Sequence, residues 1–95
     1  MPARRAQRKV PGGKLVRIDA DCQEGVLSRV RITGDFFVQP EEALAGIERD
    51  LNASRLNGHE SDLELKVDVI VSSNGATLLG FGPKDIADLL RELRC

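Results

Sequence analysis

Aromatic residues, cysteine and histidine are scarce in this chain of 95 residues, and each shortage excludes a class of function. There are three phenylalanines and no tryptophan or tyrosine, so the chain lacks the aromatic platform on which single-stranded nucleic acids stack. Two cysteines and one histidine, without a C-x-x-C pair, cannot supply the four ligands of a structural zinc site. We therefore predict no metal centre and interpret Cys22, in a predicted turn, and Cys95 as incidental thiols of a reducing cytoplasm.

Long apolar runs are also missing, which argues against a membrane-spanning helix. Arginines near the start are not followed by an apolar segment, so we expect no secretory signal. With 41% hydrophobic and 31% charged residues, the composition is that of one ordinary globular domain. We expect a soluble, cytoplasmic protein that does not bind membranes.

Positive charge is concentrated at the beginning of the chain. Residues 1–18 contain six basic residues and no acidic one, although the formal net charge of the whole chain is −1. We predict that residues 1–10 form a basic flexible arm and that residues 11–95 form a single domain. Because such an arm suits an acidic partner, a phosphate or a nucleic acid, a small nucleic-acid- or anion-binding module is one alternative for the function.

Alternating apolar residues predict a β-hairpin after a turn at Pro11-Gly12-Gly13. The first strand, Lys14–Asp21, has an apolar face of Val16, Ile18 and Ala20. After a turn over residues 22–25, the second strand, Val26–Ile32, has an inner face of Val26, Ser28, Val30 and Ile32. The opposite face carries charges of both signs, and we expect Asp19 and Asp21 to offset Arg29 and Arg31.

Apolar residues at helical spacing predict two helices. Pro40 and two following glutamates suit the start of the first helix. Gly82-Pro83 begins the second, in which apolar residues recur at i, i+3, i+4 and i+7. The two stripes are Leu44, Ile47 and Leu51, and Ile86, Leu89, Leu90 and Leu93.

Between the helices, the pattern predicts a loop over residues 52–60, a strand over Leu63–Val71 and a short extended stretch over Ala76–Phe81. Strict alternation and β-branched residues carry the strand prediction. The fold class predicted is therefore α+β, with a small antiparallel sheet (the N-terminal hairpin plus a further strand) packed with two helices.

No residue pattern indicates a catalytic site. His59, the single histidine, lies in the predicted loop without a readable nucleophile or base beside it. The glycines before Lys14 do not form a phosphate-binding G-x-x-x-x-G-K-[ST] loop followed by a helix. At Gly80-Phe81-Gly82 we expect a capped helix start rather than an anion site. The residues alone predict no catalytic group.

Two separated motifs nevertheless carry a specific resemblance. The first is Lys9–Val16 together with Ile32–Phe37 and the following Pro40-Glu41-Glu42. The second is Leu78–Ile86, with the spacing Gly-x-x-Pro-x-Asp-Ile. Both resemble the C-terminal or accessory domain of lipoate–protein ligases, which in some organisms is a separate small subunit. In that family the segment matching Leu63–Val71 tends to be helical, in conflict with the strand that alternation predicts.

The resemblance implies a function in protein lipoylation. Lipoate–protein ligase makes lipoyl-AMP from lipoate and ATP and then transfers the lipoyl group to a lysine of an acceptor protein. The large catalytic subunit holds lipoate, ATP and Mg²⁺, and the small one is required for the activation half-reaction. The resemblance thus implies a chain that is not catalytic alone, binds no cofactor itself, forms a heterodimer with the large subunit, and serves lipoyl-domain acceptors only indirectly.

The candidate partner-interface residues that the resemblance implies are Lys14, Gly34, Asp35, Phe36 and Phe37. Alternative interpretations are that at least one phenylalanine belongs to the core of this domain and that Asp35 caps a turn. A nucleic-acid partner is not expected, because the remainder of the chain is acidic. An assembly subunit of another enzyme is the third interpretation.

Overall fold

The computed structural model describes residues 3–12, 14–23, 26–53 and 62–93. Within these ranges the chain forms five strands and three helices. The strands are β1 (Ala3–Lys9), β2 (Leu15–Gln23), β3 (Val26–Gly34), β4 (Phe37–Gln39) and β5 (Thr77–Leu79). The helices are α1 (Ala43–Ala53), α2 (Leu63–Ser73) and α3 (Pro83–Leu93). The α+β class is confirmed, with one more helix among these residues than predicted.

An antiparallel sheet in the order β1-β2-β3 carries the core on one face. On β2 the inward positions are those of the predicted alternation, and their side chains are 5% exposed or less. Helix α3 covers β1 and β2, α1 covers β3, and α2 lies against α1 and α3. The inward residues of β2 are Val16, Ile18, Ala20 and Cys22.

The prediction of a flexible arm is wrong for residues 3–9, which form β1. Ala6 pairs with Ile18 of β2 and is buried. On the same side of the strand, Arg8 Nη1 donates to Asp88 Oδ2 of α3 at 3.0 Å, and Arg4 Nη1 donates to the carbonyl oxygen of Leu93 at 3.4 Å. Long arginine stems can cover apolar surface while their charged heads reach a polar partner, so a strand this basic still packs.

A β-bulge alters the predicted face of β3. Asp19 pairs with Arg31, but Asp21 pairs with Ser28, so two residues of β3 oppose one residue of β2. One of these two, Arg29, has a φ of 53°. The extra residue shifts the alternation, and the inner face therefore contains Leu27 rather than Val26 and Ser28.

The outer face of the sheet pairs its charges as predicted. The carboxylate of Asp21 lies 3.7 Å from the guanidinium of Arg29, and Asp19 lies opposite Arg31 and forms an ion pair with Arg5. The guanidinium side of each pair is largely exposed, at 80% for Arg29 and 63% for Arg5, so solvent screens both pairs and each contributes at most about 1 kcal/mol.

Helix α1 protects the open edge of β3. The backbone N–H of Ile32 donates to Glu48 Oε2 at 2.7 Å, and that of Val30 donates to Asn52 Oδ1 at 3.2 Å. An uncovered edge strand exposes such donors to pairing with another chain. The helix begins at Ala43, three residues after Pro40, where the sequence predicts its start.

The strand predicted over Leu63–Val71 is wrong, because this segment is helix α2. Its buried residues recur at i, i+4, i+7 and i+8, which is one helical face. Leu65 and Val69 complete the apparent alternation but lie on the exposed side. The third strand of the main sheet is therefore β1. The buried residues of α2 are Leu63, Val67, Ile70 and Val71.

Cys22 is not an incidental thiol in a turn. It occupies the last inward position of β2, is 5% exposed and is disulfide-bonded. The chain's other cysteine, Cys95, lies outside the described residues, as do His59 and the turn predicted at Asn57-Gly58. Among the helices in the described ranges, none is long and apolar enough to cross a bilayer.

Candidate functional site

A small two-stranded sheet brings the two sequence motifs together. Strand β4 follows Ile32–Phe37 and pairs antiparallel with β5, which leads into the Gly80–Ile86 segment. Phe37 lies opposite Leu79, and Val38 lies opposite Leu78. Residues some forty positions apart in the chain thus form one surface.

Phe36 and Phe81 attach this small sheet to the core. Their ring centroids are 4.3 Å apart with an interplanar angle of 37°, and both side chains are half-buried against the core residues. A pair of this kind contributes about 0.5–1.5 kcal/mol beyond the area that it buries. The interpretation that one phenylalanine belongs to the domain's own core therefore holds for Phe36.

Phe37 points away from the core. Phe37 is 65% exposed, and its cross-strand neighbour Leu79 is 41% exposed. Neighbouring side chains across an antiparallel pair have Cβ atoms about 4.5–5.5 Å apart, so the two form one apolar surface. Leu79 is not among the predicted site residues, because the strand pairing that places it beside Phe37 cannot be read from a single sequence.

Gly34 allows the chain to turn into this surface. Its φ is 149°, and a Cβ atom there would lie within 2.9 Å of the carbonyl carbon of Leu15 and closer still to its oxygen. The same oxygen accepts a hydrogen bond from the N–H of Asp35 at 2.9 Å. This close approach of two backbones requires glycine, and it directs the Asp35 side chain to solvent.

Lys14 lies on the other side of the same surface. Its aliphatic stem passes over Gly80, where an added Cβ would be 3.1 Å from Lys14 Cγ. The ammonium of Lys14 and the carboxylate of Asp35 are exposed, and neither forms an ion pair or hydrogen bond with the described part of the chain. Asp35 therefore does not cap the turn with its carboxylate.

All five predicted interface residues line one open depression of about 510 Å³. Its walls are Gly12, Lys14, Gly34, Asp35, Phe36 and Phe37. Ligand cavities enclose most of a small molecule, whereas this depression offers one cation, one anion and an exposed ring on an open surface. These groups suit contact with a protein better than enclosure of lipoate or a nucleotide.

The start of α3 next to this surface is capped within the chain. The N–H of Gly82 donates to Asp85 Oδ2 at 2.8 Å, as in a capping box. The carboxylate thus occupies the position that an anion would take, in agreement with the prediction. In the residues that the structure describes, no three histidine, cysteine or acidic side chains are grouped to hold a metal ion.

No protein-family model and no curated protein matches the sequence. The fold is similar to a chain from the solved structures of an archaeal lipoylation system, a bipartite lipoate protein ligase and its E2 lipoyl domain from Thermoplasma acidophilum. The superposition has a TM-score of 0.57 and 22% sequence identity, and it covers 96% of this chain and 94% of that chain. At this identity the likeness establishes that the two chains share a fold along nearly their whole length.

Proposed function

We propose that this chain is the non-catalytic accessory subunit of a two-chain lipoate–protein ligase. It docks on a large catalytic subunit and enables that subunit to make lipoyl-AMP from lipoate and ATP before the lipoyl group is transferred to acceptor lysines. Lipoate, ATP and Mg²⁺ are held by the catalytic subunit. The chain thus acts by binding and ordering a partner. The proposed location of this function is the cytoplasm.

The main support for this proposal is that the two resembling motifs form one solvent-facing surface. The motifs are distant in sequence, yet Phe36 contacts Phe81 and Phe37 pairs with Leu79. The second support is the fold that the chain shares with a chain from a bipartite lipoate protein ligase system, with almost equal coverage of both chains.

The surface has the composition of a small protein-binding site. Phe37 and Leu79 provide an apolar centre that loses water when a partner covers it. Lys14 and Asp35 lie at the rim as charges without partners in the described chain, and such charges set the orientation of a complex more than its affinity. Truncation of a central aromatic residue of this kind typically costs 2 kcal/mol or more of binding free energy.

Docking would accelerate activation by ordering the catalytic site of the partner. Holding reactants in a near-attack geometry removes several kcal/mol from a barrier. Closure of a site also excludes water, which protects a reactive adenylate from hydrolysis. In this scheme the residues of this chain position the partner and do not touch the reacting atoms.

The observations favour this function over an anion-binding arm. The arginines of the predicted arm lie in β1, where Arg4 and Arg8 contact α3 and Arg5 contacts Asp19. These side chains are engaged within the domain, and the strand is paired along its length with β2.

The docking step is tested by titrating this chain into a lipoate ligase catalytic subunit of the same organism that lacks its own accessory domain. We expect one-to-one binding by calorimetry, and we expect Phe37→Ser to raise the Kd by about thirtyfold, the equivalent of about 2 kcal/mol. Val26→Ser is the matched control, because Val26 is also an exposed apolar strand residue but lies on β3, outside the surface. Equal affinities for the two variants would contradict the proposed interface.

A further inference from the structure

Helix α2 carries a second exposed apolar surface that the proposed docking surface does not include. Leu65 and Val69 are 61% and 56% exposed and lie four positions apart in the helix. Side chains at this spacing are neighbours on one helix face, about 5–6 Å apart at Cβ. Since Val67 and Ile70 are buried, α2 is apolar on both its inner and its outer side.

An open depression of about 440 Å³ adjoins this face. It is lined by Glu64, Leu65, Asp68 and Pro83 and shares no residue with the depression at Phe37. Pro83, the first residue of α3, forms its far wall. A ligand here would therefore lie between the outer side of α2 and the start of α3.

The charged side chains that line the depression are negative. Glu64 and Asp68 are exposed and form no ion pair with any residue in the described ranges. The basic residue of this helix, Lys66, has its ammonium 3.7 Å from the carboxylate of Asp62. Two carboxylates thus flank the two apolar side chains and remain available to an incoming cation.

From this geometry we infer that the outer side of α2 binds a basic amphipathic helix of a partner protein. Leucine-sized side chains of the partner, spaced by three or four residues, would cover Leu65 and Val69. Lysine or arginine residues beside them would pair with Glu64 and Asp68. In such helix-in-groove complexes, the bound helix contacts the groove with side chains at i, i+3, i+4 and i+7.

The same charges disfavour two other occupants. A second copy of this chain, related by a two-fold axis, would bring its own Glu64 and Asp68 against the same acidic surface, since a two-fold interface joins identical patches. An anionic membrane would be repelled, because helices that lie on membranes carry lysine and arginine on their polar side.

The inference is tested with a probe peptide of about 14 residues, a length at which short helices begin to form. The peptide contains leucines at i, i+3, i+4 and i+7 and lysines elsewhere, and its counterpart contains glutamates in place of the lysines. Each is titrated into the ¹⁵N-labelled chain. We expect the lysine peptide to shift the amide resonances of residues 63–69 in a saturable way and the glutamate peptide to shift none of them.

Two variants make the test specific. Leu65→Gln combined with Val69→Gln should weaken binding of the lysine peptide tenfold or more, whereas Val26→Gln should leave it unchanged. Binding that maps to another surface, equal binding of the glutamate peptide, or an unaffected double variant overturns the inference. A dimer in sedimentation velocity that Leu65→Gln dissociates would also overturn it, because a second copy would then be the occupant. No ligase subunit is present, so the result is independent of the proposed function.

Discussion

Helices α2 and α3 have the same length of eleven residues and lie against each other, yet they use their apolar residues differently. All the apolar residues of α3 after Pro83 are buried. Helix α2 buries one face and exposes Leu65 and Val69 on the other. Apolar residues outside the core can therefore make a helix look like a strand in the sequence. In the folded structure the same residues form an exposed apolar surface.

The largest expected difference between the two helices is in their contribution to the core. Leu89 of α3 is fully buried, whereas Leu65 of α2 is exposed. We expect Leu89→Ala to lower the free energy of unfolding by about 2–5 kcal/mol, because it removes buried methyl groups and leaves a cavity. Leu65→Ala should change it by less than about 0.5 kcal/mol. Equilibrium urea unfolding measures both, and similar losses would contradict the burial described for α2.

The two helix starts should differ by a smaller amount. Asp85 accepts a hydrogen bond from the N–H of Gly82 at the start of α3, whereas Asp62, the N-cap of α2, makes no capping hydrogen bond. We expect Asp85→Ala to lower the free energy of unfolding by about 1 kcal/mol and Asp62→Ala to lower it by a few tenths of a kcal/mol. Urea unfolding of the two variants gives the comparison, and a larger loss for Asp62→Ala would show that α2 is the better-capped helix.

The smallest expected difference concerns the ion pairs of the helices. Asp88 of α3 lies 3.0 Å from Arg8 of β1 and 3.1 Å from Arg91, whereas Asp68 of α2 has no ion-pair partner among the described residues. We expect Asp88→Asn to lower stability by about 0.5–1 kcal/mol, and by less at high salt. Asp68→Asn should have almost no effect. Thermal unfolding of both variants at low and at high salt separates the two effects. Identical changes in Tm for the two variants would exclude a role for Asp88 in attaching α3 to the sheet.

The secondary structure could be predicted where the apolar pattern matched a single period. The stripe of α3 and the inner face of β2 are examples, and the structure confirms both. Helix α2 could not be recognised because its exposed Leu65 and Val69 turn a helical pattern into strict alternation. Strand β1 was missed because its inner face is Arg4, Ala6 and Arg8, which resembles a solvated arm.

The resemblance named residues that the structure brings together, and their role in docking stays a prediction. The five interface residues came from the resemblance, and they line one depression in the structure. What a single sequence does not contain is the pairing of β4 with β5, which adds Leu79 to this surface and places Gly80 under Lys14. Arg29 at the bulge of β3 was equally hidden, because a bulge depends on the partner strand.

Pyrophosphate release from lipoate and ATP measures directly whether this chain enables the activation step. The catalytic subunit is assayed with Mg²⁺ in the absence of this chain, with the wild-type chain and with the Phe37→Ser variant. We expect release that depends strongly on the wild-type chain, saturates at equal amounts of the two subunits, and requires much more of the variant for the same rate. Release at an equal rate with and without this chain, by a subunit that binds lipoate, would contradict this expectation.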